Sequence, residues 1–365
     1  MIKLNLNITY YRKKGFAKKA SPFFVIFKYI KYFDMEHKRL QFLVPQYKET
    51  EEVISFLLDS IEHQVDIDKN DIGVIICSDG GNYILNQEFL DKYSYDIDYI
   101  VCEHRGVSAT RNSAFLLSDA DYVMYCDSDD GFCNTFGIKI IFENIDLCEK
   151  EKKLFDILSI QFYAEKQADR ETPWSLSICN HNNIYIHSRV YRRDFLIENN
   201  LYFNEKIWAN EDSFFNISTT FYSKNTKILN LPIYVWRGNP QSVTHDPTYI
   251  MKTLHQLIYS NDSVIETMLI LNKDKKEIAQ SVFDIICKVY LDMNKPCWYE
   301  KGNEEYMDVT IKTLKWYINK RGLLCNYLTD TEKKNVLQDT RKTEHYGNIE
   351  SITFNDFIKK VMMYE

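Results

Sequence analysis

The 365-residue sequence has nine cysteines and no C-x-x-C pair among them. An odd number, scattered without a repeat, offers neither a disulfide framework nor a paired-thiolate metal site. Cysteines near strand ends, such as Cys77 and Cys126, then read as small hydrophobes in a reducing, cytoplasmic setting. No apolar run reaches the ~18 residues that a membrane span needs. The N-terminus also lacks the ordered charge, apolar stretch and small-residue cleavage site of a signal peptide. Positive charge is not in excess: 45 Lys and Arg against 52 Asp and Glu leave a formal net charge of −7. Outside a local basic patch, nothing therefore argues for a nucleic-acid partner. G-x-G-x-x-G is missing, so "GVSATRN" is no dinucleotide fingerprint, and "VPQYKE" is no glycine- and lysine-rich triphosphate loop. Internal repeats and low-complexity tracts are absent too.

What is present divides the chain. At about 100–200 residues per domain, this length implies two domains, or one large domain with an appendage. Residues 1–38 form a basic extension, with eight Lys or Arg and no acid in the first 33. Within it Phe23, Phe24, Phe27 and Ile30 fall near one helical face, so residues 12–33 are read either as a helix packed on the domain or as a peripheral membrane contact at the inner face. Residues 39–248 alternate strand and helix patterns: strands over 40–45, 72–81 (ending in a glycine turn), 99–103 and 122–126, helices over 49–64 and 106–120. The spacing of Val53, Phe56, Leu57 and Ser60 or Ile61 marks the first helix, and Glu51 and Glu52 suit its N-terminal dipole. The alternation implies a parallel α/β sheet with helical crossovers. Further on, 155–165 reads as strand, 188–203 as a segment that begins helical, 210–224 as a helix with Phe214, Phe215, Ile217 and Phe221 as its apolar residues, and 226–238 as strand. Residues 249–365 read as a helical C-terminal domain, with helices over 249–270, 275–293 and 302–320.

In such a sheet ligands collect beyond the carboxyl ends of the strands. Four polar exits meet that condition: Pro45–Glu49, Ser78–Gly81, Glu103–Gly106 and Asp127–Gly131. The last is the most charged, because "YVMYCDSDDG" ends a hydrophobic strand in Asp127, Asp129 and Asp130. Paired carboxylates at a strand end can hold Mg²⁺ or Mn²⁺ when phosphate oxygens complete the shell. A second acidic feature, "NED" at 210–212, sets Glu211 and Asp212 at a helix start. Asp212 there serves either the helix dipole or general-base catalysis. His104 reads as a surface residue, and His187 as a structural or acceptor-side residue rather than a ligand. Trp208 and Trp236 read either as core or as faces for an acceptor sugar.

Seven segments taken together resemble the family 2 glycosyltransferases of GT-A fold: "VPQYKETEEV" (44–53), "SDGG" (78–81), "GVSATRNSAF" (106–115), "DSDD" (127–130), "HSRVYRRDFLIENNLYFNE" (187–205), "NED" (210–212) and "WRGNPQSVTH" (236–245). The resemblance covers roughly 40–245. It implies an α/β fold with a Rossmann-like, mixed central sheet flanked by helices, and a metal-dependent inverting enzyme that transfers sugar from a nucleotide-sugar donor. By the same resemblance, Pro45, Tyr47 and Glu49 frame the nucleotide pocket and Asp79 accepts the uracil N3–H of a UDP-sugar. Arg111 and Asn112 lie near the nucleotide. Asp127 contacts the donor or supports the Mn²⁺ or Mg²⁺ ion, and Asp129 ligates that ion. Asp212 is the base, with Glu211 near the acceptor. Arg237, Ser242 and His245 belong to an element that closes over the diphosphate. Gly81 stands where the family carries Ser or Asn, and Lys48 where it carries Asn, which leaves the donor's sugar open. The acceptor is likewise open among glycan, polymer, lipid-linked and protein hydroxyls, and the helical domain is assigned to acceptor recognition or to homo-oligomer formation. Two other classes use similar residues: a nucleotidyltransferase acting on a sugar phosphate, and a nucleotide-sugar or glycan-binding protein without turnover.

Overall fold

The computed structural model describes residues 9–12, 18–19, 37–166, 175–180, 184–238, 246, 248–343 and 352–365. Contacts group the chain into two units, Met1–Trp208 with Phe215–Asn239, and Ala209–Phe214 with Pro240–Glu365.

The first unit is built on one sheet. Its elements are β1 (Thr9–Arg12), β2 (Lys18–Lys19), β3 (Lys38–Gln46), α1 (Glu51–Glu62), β4 (Ile72–Asp79), α2 (Gln87–Leu90), β5 (Asp96–Cys102), α3 (Val107–Leu117), β6 (Ala120–Tyr125), β7 (Gly131–Phe132), α4 (Gly137–Lys150), β8 (Ile157–Lys166), β9 (Ser175–Cys179), β10 (Arg189–Arg192), α5 (Arg193–Glu198), α6 (Glu211–Tyr222) and β11 (Thr226–Trp236). The first turn of α6 falls in the second unit. The strands run in the order β2-β1-β5-β4-β3-β6-β10-β8-β11-β7, with β9 on β8. β5, β4, β3 and β6 are mutually parallel. β10 then pairs antiparallel with both β6 and β8. The parallel pattern expected from the strand–helix alternation thus holds for β3, β4, β5 and β6, and the whole sheet is mixed.

Both faces of the parallel strands are covered, which is why β4 is apolar almost throughout and buried along its whole length. α1 buries Ile54, Leu57, Leu58 and Ile61. That face is rotated from the expected one, and Phe56 is left at the surface instead. A Cβ on Gly131 would meet the Phe56 ring at 2.8 Å, so glycine lets the acidic turn approach α1. Residues 189–192 form strand β10 rather than the start of a helix, and the helix begins only at Arg193. In α6, Phe215 is buried together with Asn216, Ser218 and Thr219, whereas Phe214, Ile217 and Phe221 are only half-buried. Asn216 earns its place by accepting a hydrogen bond from the Tyr191 hydroxyl at 2.6 Å. Of the basic N-terminal segment only β1 and β2 are described, β1 pairing antiparallel with β5; Phe23, Phe24, Phe27 and Ile30 lie outside the described residues.

The second unit contains α7 (Tyr249–Ile270), α8 (Lys275–Met293), α9 (Glu304–Arg321), α10 (Asp330–Thr343) and α11 (Phe354–Met363). Leu254, Ile258, Ile265, Val282, Ile286, Val289, Leu314 and Tyr317 are buried there. One buried ion cluster ties α7 to α9: Asp262 accepts hydrogen bonds from Arg321 at 2.6 Å and Lys320 at 2.7 Å. No helix among the described residues is long and apolar enough to cross a membrane.

Candidate active site

β6 delivers the acidic turn at its carboxyl end. Asp127 is half-buried, and its Oδ1 accepts a hydrogen bond from Arg111 Nη2 at 2.8 Å. Arg111 projects from α3, is 3% exposed, and stacks its guanidinium 5.2 Å from the Phe203 ring centroid. The structure therefore ties Arg111 directly to the turn. Asp129 is half-buried. Asp130 has no exposed surface, and one of its oxygens accepts the backbone N–H of Arg237 at 2.9 Å. Burial, reinforced by the charges of Asp127 and Asp129, pushes the Asp130 carboxyl well above the usual carboxylate range. The Tyr234 hydroxyl beside Asp130 eases that shift.

His187 faces the same carboxylate from the approach to β10. Its ring is 4% exposed and stacked 5.4 Å from Tyr185 and 5.9 Å from Tyr234. Burial lowers its pKa to about 4, so the imidazole is neutral at pH 7. His187 Nδ1 lies 3.9 Å from Asp130 Oδ2. Among the described residues, neither His187 ring nitrogen nor Asp130 Oδ2 has a hydrogen-bond partner. Ligand atoms of Asp127, Asp130 and His187 all lie within 4.8 Å of one another. A divalent cation fits this donor set: two carboxylates and a neutral imidazole converge on orphaned polar atoms that burial makes costly to leave unsatisfied. Asp130 and His187 were missing from the expected ligands. Nothing in the spacing of residues 130 and 187 signals their meeting.

The residues expected to frame the nucleotide lie around the ends of β3, β4 and β5. Pro45 lies in β3 opposite Cys77. Tyr47 and Lys48 donate backbone N–H groups to Glu49 Oε2, at 2.7 and 3.2 Å, which shapes the turn after β3. Asp79 accepts three bonds, from the N–H of Arg105 at 2.7 Å, the N–H of Gly106 at 3.0 Å and His104 Nδ1 at 2.9 Å. His104 is exposed, as expected, yet it also stacks 5.0 Å from Tyr47. Gly80 makes that approach feasible, because its φ is +86° and a Cβ there would come within 2.8 Å of the His104 Cβ. Asn112 is 5% exposed and anchors the segment at Phe203, donating to its carbonyl and accepting its N–H, both at 2.9 Å.

Arg237 follows β11, with its guanidinium 3.8 Å from the Phe56 ring centroid. Ser242 and His245 lie outside the described residues. Trp236 packs against Tyr185 at 5.4 Å with the rings tilted by 33°, while Trp208 is 52% exposed. Glu211 and Asp212 open α6 within the second unit, and both are half-buried. Burial, followed by the charges of Glu211 and Asp212, raises the Tyr249 hydroxyl pKa. A cavity of about 350 Å³ in that unit is lined by Asn210, Tyr249, Thr253, Leu254, Lys288 and Asp292, among others.

The Glycosyl transferase family 2 model matches residues 42–134, the stretch from β3 through the acidic turn to just past β7. That stretch is thus similar to the family 2 glycosyltransferases, and the mixed sheet around it is GT-A-like. Among curated proteins the chain is 27% identical over 227 residues to the uncharacterized glycosyltransferase EpsJ of Bacillus subtilis (strain 168), covering 56% of this chain and 62% of that one. It is 22% identical over 321 residues to the poly(ribitol-phosphate) beta-N-acetylglucosaminyltransferase TarS of Staphylococcus aureus (strain MW2), covering 85% of this chain and 53% of that one. The chain spans between about half and two thirds of the length of those relatives. The fold is shared with S. aureus TarS 1–349 in complex with UDP, at TM-score 0.58 and 18% identity over 84% of this chain and 91% of that one. The corresponding complex with UDP-GlcNAc gives TM-score 0.59 at 16% identity, with the same coverage.

Proposed function

We propose that this protein is an inverting glycosyltransferase that moves a sugar from a UDP-sugar to a hydroxyl acceptor with the help of a divalent cation. The observation that carries this reading is the acidic turn at the end of β6, held by Arg111 and by the Arg237 backbone in a domain of GT-A fold. One protein of that fold, S. aureus TarS 1–349, is known in complex with UDP and with UDP-GlcNAc, which makes UDP-GlcNAc the first donor to test. A polyol-phosphate hydroxyl is the first acceptor to test, by likeness to the TarS name.

The chemistry follows from the residue types. When the bond from the anomeric carbon to the diphosphate oxygen breaks, negative charge gathers on the leaving nucleoside diphosphate. Asp127 and Asp129 would hold Mn²⁺ or Mg²⁺, and when bound the cation supplies electrostatic stabilisation of that charge. Arg237 adds a fixed positive charge for the same purpose. Asp79, Tyr47 and His104 form the base end of the nucleotide site, with Pro45, Glu49 and Asn112 shaping its loops and Ser242 and His245 assigned to the diphosphate. Asp212 takes the acceptor hydroxyl proton as the oxygen attacks the opposite face of the sugar, and Glu211 orients the acceptor. One bond forms as one breaks, so the anomeric configuration inverts.

The test is a donor screen with Mn²⁺ present, reading nucleoside diphosphate release and donor-dependent thermal shift. UDP-sugars are expected to stabilise the protein and to release UDP. Failure of every nucleotide sugar in both readouts would overturn the proposal. Preference for a GDP-sugar would overturn the base assignment of Asp79 alone.

A further inference from the structure

Building on the reading of this domain as a cation-assisted glycosyltransferase, we propose that Asp130 and His187 ligate the divalent cation from its buried side, together with Asp127. The imidazole nitrogen then makes the site one of mixed oxygen and nitrogen donors. Asp129, half-exposed on the same turn, meets the cation from the solvent side.

Three independent features converge on this ligand set. The first is the orphaned atoms. Asp130 is fully buried and His187 is 4% exposed, yet Asp130 Oδ2 and both ring nitrogens have no hydrogen-bond partner among the described residues. A buried carboxylate oxygen and a buried imidazole left without hydrogen-bond partners among the described residues point to something between them. The second is distance. Asp130 Oδ2 and His187 Nδ1 stand 3.9 Å apart, too far for an N–H···O bond. Two ligand bonds of ~2.1 Å to one shared ion span roughly 3.0 Å at a right angle and about 4.2 Å when opposed, a range that includes this separation. The third is pre-orientation. Arg111 engages Oδ1 of Asp127, and the Arg237 N–H engages Oδ1 of Asp130, so both carboxylates are fixed by outer partners. The His187 ring is clamped between Tyr185 and Tyr234. Such support is what holds ligating groups in place around metal ions.

The consequence is selectivity. A site of oxygens alone suits Mg²⁺, whereas an imidazole ligand shifts preference toward Mn²⁺, Co²⁺ or Zn²⁺.

Mn²⁺ alone, added to the full-length protein without nucleotide, tests the proposal by pulsed electron paramagnetic resonance. A ¹⁴N coupling from a directly bound imidazole is expected, and it should change to the ¹⁵N pattern when the protein is labelled with ¹⁵N-histidine. His187→Gln should abolish the coupling and weaken Mn²⁺ binding by about 10- to 100-fold in calorimetry. His104→Gln and His245→Gln should retain the coupling, which excludes the two other histidines assigned to the site even if His187→Gln does not fold. Absence of any histidine coupling with Mn²⁺ bound, or its loss in His245→Gln, overturns the assignment. Donor turnover is read separately: a protein that shows the coupling but uses no nucleotide sugar refutes the function and leaves the ligand set standing.

Discussion

Arg111 and Asp127 are a pair in which only one partner is out of water: Arg111 is about 4% exposed at its side chain and Asp127 about a third. Replacing Arg111 with Met keeps the stem that packs on Phe203 but leaves Asp127 without its donor. Because water can reach Asp127, the expected loss of stability is at the lower end of about 1–3 kcal/mol. A urea titration reads that change, and an unchanged midpoint would show that the pair is only a surface contact. Asp129→Asn separates charge from shape at the exposed end of the turn. It should leave the unfolding midpoint close to that of the parent while lowering both Mn²⁺ affinity and turnover, because an amide keeps the size of the carboxylate and loses its charge. Equal Mn²⁺ affinity in calorimetry would remove Asp129 from the cation site. The sequence made Asp127 and Asp129 legible through their position at a strand end. Asp130 was equally visible in "DSDD", but its complete burial depends on β11 arriving with Arg237. His187 depends on the aromatic cage that Tyr185, Tyr234 and Trp236 assemble from two segments about 50 residues apart.

At the scale of elements, α10 in the second unit shows how local chemistry fixes a helix end. Thr329 precedes the helix, and its hydroxyl accepts the N–H of Glu332 at 3.3 Å while Glu332 Oε2 accepts the N–H of Thr329 at 2.8 Å. This reciprocal capping box satisfies donors that the helix leaves free. The Thr329 N–H, then Lys276, lower the Glu332 pKa from 4.5 to about 2. The sign follows: a carboxylate with a depressed folded pKa stabilises above its unfolded value and loses that contribution as pH falls from 4.5 through 2. Glu332→Gln should therefore reduce hydrogen-exchange protection in the first turn of α10 at pH 7, and the difference from the parent should shrink toward pH 2. A difference that grows on acidification would refute the assignment. Longer elements were legible for reasons of the same kind. β4 shows a near-continuous apolar run because both of its faces are covered, and α7, α8 and α9 keep a helical period over 18 or more residues. Short elements were not. β10 has four residues and runs straight into α5, so its alternation is too brief to separate from the helix that follows. The inward face of α1 was misjudged because Phe56, though apolar, serves the Gly131 turn and Arg237 rather than the core.

At the scale of the molecule, the residues assigned to donor and cation, Ser242 and His245 apart, belong to the first unit, and Glu211 and Asp212 belong to the second. The sequence signalled both sets, Asp127 and Asp129 by a strand exit and Asp212 by a helix start, but the division of the chain between residues 208 and 215 follows from contacts that no local pattern encodes. Under the proposed mechanism this division predicts separable failures. Asp212→Asn keeps the size of the side chain and removes its capacity to accept a proton, while the donor-side residues are untouched. Donor-dependent thermal stabilisation with UDP-GlcNAc and Mn²⁺ should stay at the parent level. Transfer to acceptor should fall by about 10²- to 10⁴-fold, the usual contribution of a positioned general base. An acceptor that enters already ionised no longer requires the base, so the deficit should narrow as pH rises toward the pKa of the acceptor hydroxyl. Two outcomes would sink the role: near-parental transfer at neutral pH, or parallel loss of donor stabilisation and transfer, which would place Asp212 in donor binding.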